Sequence, residues 1–135
     1  MKKYKPETKT ELKKLVFTDG IKLNCVDTSL IKDMSNLFYK SKRKDFEGIE
    51  DWDVSNVEDM AFMFCGAKEF NQPLNSWDTS KVKNMSGMFQ ECEFFNQPLD
   101  KWDTSNVEDM ANMFIRAKRF NQPLNTWNIN KVKDL

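Results

Sequence analysis

Tryptophan recurs every 25 residues, at Trp52, Trp77, Trp102 and Trp127, and the residues around it recur in step. Val57, Val82, Val107 and Val132 lie five positions after each Trp. Met60, Met85 and Met110 lie eight after, and Phe64, Phe89 and Phe114 twelve after. Three copies of Phe-Asn-Gln-Pro-Leu begin at Phe70, Phe95 and Phe120. Segments 52–76 and 102–126 differ at only six of 25 positions. A repeat of this length is one small structural unit that buries its apolar face only against its neighbours. The 135 residues divide accordingly. Residues 1–25 form an N-terminal cap with the entry to the first unit. Residues 26–51 are a degenerate first unit, one residue longer. Residues 52–126 are three regular units and 127–135 a truncated one, all in a single domain.

Within a unit two periods compete. Val82, Met85, Met88, Phe89 and Cys92 step by three and four, the spacing of one helix face. Ser55 with Glu58, and Ser105 with Glu108, read as capping boxes at the start of such helices. Leu74, Trp77 and Thr79 follow the L-x-x-L-x-L pattern of leucine-rich repeats, in which the last two residues point to one side of a short strand. The same pattern runs through Leu23, Ile49, Leu99 and Leu124. The sequence therefore predicts an α/β chain: a leucine-rich-repeat-like solenoid with one short parallel strand and one short helix per 25-residue repeat. Trp52, Trp77, Trp102, Trp127, Met60, Met85, Met110, Phe64, Phe89 and Phe114 are the expected core. Asn71, Asn96 and Asn121 superimpose along such a stack and are read as a structural ladder. Thr8 and Glu11 form a further capping box ahead of Leu12, Leu15 and Val16, which predicts a helix covering the first unit. The C-terminal strand edge has no such cover, so end-to-end self-association through it is expected.

Composition narrows the function. There is no histidine, which removes Ser-His-Asp and Cys-His chemistry and the usual neutral-pH base. Lysine plus arginine equals aspartate plus glutamate at 21 each, which argues against a nucleic-acid-coating protein. The three cysteines, Cys25, Cys65 and Cys92, form no CxxC and read as reduced thiols. No apolar run is long enough to span a membrane. The basic start lacks the apolar stretch of a secretory signal, so the location is not legible from the residues. No cofactor, no metal site and no enzymatic activity are expected.

The unit Trp77-Asp-Thr-Ser-Lys-Val-Lys-Asn-Met-Ser-Gly-Met-Phe89, followed by Phe95-Asn-Gln-Pro-Leu99, resembles the BspA-like leucine-rich-repeat surface proteins and the related repeats of mycoplasma surface lipoproteins. The resemblance covers about residues 8–135. It implies a bacterial surface or secreted protein, with adhesion to other proteins as the usual role, and no catalytic residues.

The strand side of the predicted stack carries an acidic stripe: Asp27, Asp51, Asp53, Asp78 and Asp103. One reading is that turn amides and serine hydroxyls absorb this charge. The other is that the stripe awaits a protein partner with a basic face or, less favoured, Ca²⁺. Variation between units falls ten, thirteen, fourteen and seventeen residues after Trp, which suggests a surface on the helix side or mere drift. The expected function is protein–protein binding without catalysis. The alternative is a structural spacer or antigenic array with no specific ligand.

Overall fold

The computed structural model describes residues 2–135, and α1 (Lys9–Val16) is the only α-helix among them. Its start follows from Thr8, which has an extended backbone and whose side-chain oxygen accepts the Glu11 N–H at 3.2 Å. Glu11 reaches back to the Glu7 N–H at 3.5 Å, one residue before the cap. Leu12 and Val16, four apart, put their side chains into the core. Before the helix, Tyr4 pairs in parallel with Val26, and the Asp27 N–H donates to the Tyr4 carbonyl at 2.7 Å. Arg43 then ties the helix to the first unit. Its guanidinium donates to the Val16 and Ile21 carbonyls, both at 2.9 Å, and to the Asp45 carbonyl at 2.6 Å.

The predicted leucine-rich-repeat solenoid is not what the chain forms. Among the described residues no repeat contains an α-helix, and no repeat contains a strand or belongs to a sheet. Parallel pairing survives only as isolated bridges, Asp33 to Asp59 to Asn84 to Asp109 to Asp134. The Leu-x-x-Trp segments are single turns: each Trp N–H donates to the carbonyl three residues back, Trp77 to Leu74 and Trp102 to Leu99. Ile49–Asp51 and Leu23–Cys25 tighten this into short 3₁₀ helices. A spacing of three is the period of such a turn, not of a strand. A second turn follows, closed by Val82 onto Thr79 and by Val107 onto Thr104.

The segment expected to be helical is a run of turns as well. Its backbone returns to positive φ every fourth residue: Asn36 and Lys40, Phe62 and Gly66, Gly87 and Glu91, Asn112 and Arg116. That conformation interrupts any α-helical ladder. Alternate N–H groups consequently leave the unit. Those of Met60, Phe62, Phe64 and Gly66 donate to Asn84, Ser86, Met88 and Gln90 of the next unit at 2.8–3.0 Å. Those between them close turns locally, as Met63 does onto Met60 and Cys65 onto Phe62. The backbone is satisfied with neither helix nor sheet. The two capping boxes within the repeats do not operate, because the Glu58 N–H is taken by the Lys32 carbonyl of the preceding unit at 2.7 Å and the Glu108 N–H by the Lys83 carbonyl at 2.8 Å.

Units in 25-residue register place like side chains over like. Phe38, Phe64, Phe89 and Phe114 stack at 5.5–5.7 Å between ring centres. Phe70, Phe95 and Phe120 stack beside them at 5.6–5.8 Å. Within a unit the two columns touch, as in Phe64 to Phe70 at 4.0 Å. Each such pair contributes about 0.5–1.5 kcal/mol beyond the area it buries. The tryptophans form a third column, and each indole N–H donates to a leucine or isoleucine carbonyl 28 or 29 residues back, at 2.8–3.0 Å. Met60, Met85 and Met110 are buried among them. The variable positions also pack across units. The Phe62 ring lies where a side chain on Gly87 would go, 2.2 Å from an ideal Cβ there.

Candidate functional site

The acidic residues after Trp are held by one local device repeated on successive units. Oδ1 of Asp78 accepts the Ser80 N–H at 3.0 Å, the geometry of an Asx turn. Asp53 accepts both N–H and Oγ–H of Ser55, and Asp103 both groups of Ser105. Asp27 accepts the Ser29 N–H at 3.0 Å, and Asn128 does the same for Asn130 at 2.9 Å. The neighbouring threonine bonds forward into the next turn: Thr79 Oγ1 donates to the Asp103 carbonyl at 3.1 Å and Thr104 Oγ1 to the Asn128 carbonyl at 3.0 Å. Each Asp is thereby fixed over its neighbour. Asp53, Asp78 and Asp103 are exposed and Asp27 is half-buried. Asp51 does not join the row; it lies exposed in the 3₁₀ turn before Trp52.

Hydrogen bonding to serine sets the charge state. The Ser80 hydroxyl and N–H hold the Asp78 carboxyl below the usual carboxylate range, against a small upward push from Asp103. The Ser105 and Ser29 groups lower Asp103 and Asp27 in the same way. These carboxylates remain charged throughout the neutral range, with Oδ1 engaged by the serine two residues on.

A second Asx column escaped the reading from sequence. Asp33, Asp59, Asn84 and Asp109 each accept the N–H two residues on, at 2.8–2.9 Å. The signal was the recurrence of Asx seven residues after Trp, which the helical reading absorbed. Here burial matters more. It pushes Asp59 upward, the Ala61 N–H offsets part of this, and the Asp33 charge adds to the rise. Asp33 is also pushed up by burial, but bonds from Ser35 and Lys9 outweigh this and leave it lowered. The Lys9 ammonium, 3.3 Å from Asp33 and 3.0 Å from Ser35 Oγ, joins α1 to this column.

Six positions after Trp, charge alternates along the stack, and Lys83 meets Glu58 at 3.8 Å and Lys133 meets Glu108 at 3.6 Å. Asn71 and Asn96 receive the N–H of Asn96 and Asn121 at 2.9–3.0 Å, on the exposed surface. The thiols are unpaired. Cys92 is buried, its Sγ donates to the Phe64 carbonyl at 2.8 Å, and burial drives its titration far above the ordinary thiol range. Among the described residues no group of three or more Asp, Glu, Cys or His side chains is placed to hold a metal ion, and no helix is long and apolar enough to cross a membrane.

Repeated turn-built units with charged outer columns define a repeat protein. The chain belongs to the family described as Mycoplasma protein of unknown function, DUF285, whose model matches residues 13–100 and 32–135. No curated protein and no solved structure matches the chain.

Proposed function

We propose that the chain is a non-catalytic protein-binding module of the BspA-like surface type, which recognises a basic face on its partner through Asp27, Asp53, Asp78 and Asp103. The observation that carries this reading is that the three exposed carboxylates sit in the same kind of turn, each preorganised by an Oδ1 bond from the N–H of the serine two residues on. Fixed charges at a regular pitch favour rapid, salt-sensitive association with an oppositely charged surface. Asp51 adds charge beside the row without sharing its geometry. The alternative, a structural spacer, draws on the same bonds, since the serines engage one oxygen of each carboxylate.

The triple variant Asp53→Asn, Asp78→Asn, Asp103→Asn separates the two. Asn128 already makes the same turn with an amide, so the variant is expected to fold. Binding of a lysine-rich peptide, followed by calorimetry at low and physiological salt, is expected to weaken at least tenfold. Unchanged binding contradicts the reading. The proposal extends to end-to-end contact through the C-terminal edge, where Leu124, Trp127 and Val132 are only partly buried and Ile129 is exposed. Sedimentation across a concentration series reads it, and a strict monomer contradicts it.

A further inference from the structure

Unit 102–126 carries, at its C-terminal edge, the groups with which unit 52–76 holds residues 86–102. In unit 52–76 the N–H groups of Phe62, Phe64 and Gly66 donate to the Ser86, Met88 and Gln90 carbonyls at 2.8–3.0 Å. The Asn71 side chain accepts the Asn96 N–H at 3.0 Å, the Leu74 carbonyl accepts the Trp102 indole N–H at 2.8 Å, and the Asn75 amide donates to Asp100 at 2.9 Å. On unit 102–126 Asn121, Leu124 and Asn125 stand in these last three places. The N–H groups of Asn112, Phe114 and Arg116 stand in the first three, and they have no acceptor among the described residues. Phe114, Phe120 and Trp127 end their ring columns beside them, each only partly buried. Where the two units differ, Arg116 replaces Gly66 and Arg119 replaces Glu69. With Lys118 the edge therefore has three exposed cations, and no carboxylate lies between Ala111 and Trp127 in sequence.

We infer that this edge binds an unassembled repeat segment of another chain, with the pattern of residues 86–102, in the register those residues hold on unit 52–76. The inference rests on the reading of the C-terminal edge as a contact surface and names its occupant. Backbone chemistry makes the first selection. Three amide donors in a row call for carbonyls at alternate residues, which the Ser86, Met88 and Gln90 run offers. Two such edges facing each other cover their rings but set amide against amide. The opposite end of a folded copy is closed, because α1 crosses it from Lys9 at Asp33 to Val16 at Arg43. Charge makes the second selection. Glu91 already meets Arg116 at 3.3 Å, and the Phe94 ring lies 4.4 Å from the Arg119 guanidinium. An incoming copy of Glu91 and Phe94 meets the same two cations from their free side, and a guanidinium has donors for both neighbours. Segment 86–102 carries Glu91, Glu93 and Asp100 against one lysine. Segment 111–127 has the same rings and alternate carbonyls but would lay cations on cations.

The test uses the full chain and two labelled peptides, acetylated and amidated at their ends. One is residues 86–102 carrying Cys92→Ala, since alanine fills that place at Ala67 and Ala117; the other is residues 111–127. Fluorescence anisotropy is expected to show saturable binding of the 86–102 peptide, with the 111–127 peptide about tenfold weaker because like charges meet. On the variant Arg116→Glu, Lys118→Glu, Arg119→Glu, verified as folded by urea unfolding, the preference is expected to reverse. In the unaltered chain, saturation with the 86–102 peptide is expected to slow amide exchange at Asn112, Phe114 and Arg116 about tenfold and to leave Phe62 and Phe64 unchanged. No saturation, equal binding of the two peptides, an unreversed preference in the folded variant, or unaltered exchange at the three amides overturns the inference. Sedimentation of the chain alone keeps it apart from end-to-end contact between folded copies. A strict monomer that binds the 86–102 peptide contradicts that contact and supports this site, whereas self-association without peptide binding contradicts this site.

Discussion

Segments 52–76 and 102–126 share 19 of 25 residues, yet they differ in burial. Phe64, Phe70 and Leu74 are fully buried, whereas Phe114, Phe120 and Leu124 in the same places are only partly so. The local turns are alike in both: Ala67 closes onto Phe64 and Ala117 onto Phe114. The difference is the neighbour. Within its own column Phe64 lies between Phe38 and Phe89, while Phe114 has a column neighbour on the Phe89 side alone. The same sequence therefore takes its local form from itself and its stability from adjacent units, as expected where each unit contacts only the next.

The largest expected effect sharpens this contrast directly. Phe64→Ala should cost about 3–5 kcal/mol in urea unfolding, the range for truncating a buried aromatic. Phe114→Ala should cost less than half of that. Equal costs would mean that position in the stack does not set stability. A smaller effect concerns the other end, which α1 and Arg43 close. Arg43→Met removes three bonds from a charged donor to backbone carbonyls and should cost about 2 kcal/mol. Amide exchange at Leu12 should accelerate more than at Met88, since α1 is released first; uniform acceleration would contradict the staple.

Cross-unit packing at the variable positions gives the next effect. Gly87→Ala should cost about 1–3 kcal/mol, because the new Cβ collides with the Phe62 ring. Adding Phe62→Ala should recover most of the loss, since Gly87 and Phe62 form one packing pair. Additive losses would show that the strain is purely backbone, at φ 59°.

What the sequence made legible was the register. Identical residues at a pitch of 25 place Trp over Trp and Phe over Phe whatever path the backbone takes between them. The path itself was hidden, for a physical reason. Met-x-x-Met-Phe satisfies one helix face and a succession of turns equally well. The residues that decide between them sit at positive φ and include Phe62, Glu91 and Arg116, side chains that do not advertise that conformation. Only Gly66, Gly87, Asn36 and Asn112 hint at it. The donors that a helix would have used internally are satisfied by carbonyls 24 residues away, which no local pattern reveals. Asp-x-Ser after Trp was readable as a turn, whereas the second Asx column, seven residues after Trp, coincided with the helical period and was absorbed by it.

The smallest expected effect is electrostatic and compares Asp59 with Asn84, which occupy the same place on adjacent units. Burial raises Asp59, so its ionised form is disfavoured in the folded chain. Its proton is retained in the fold above the unfolded value of 3.8, and the associated stability is lost as pH rises through the folded value. Asp59→Asn should therefore stabilise the chain near neutral pH by about 0.5 kcal/mol, the scale of half-exposed charge interactions. The gain should disappear below about pH 4, where aspartate is protonated in both states. A gain that persists in acid would assign it to packing instead.

Alternate amides of the first two regular units bond to the next unit, in place of a helix. Through-hydrogen-bond couplings in an isotope-labelled sample measure this directly. Correlations are expected from the amide nitrogens of Met60, Phe62 and Phe64 to the carbonyl carbons of Asn84, Ser86 and Met88. Correlations from Phe64 to Met60 and from Ala67 to Met63, four residues back along the chain, would show helices within the repeats and contradict it.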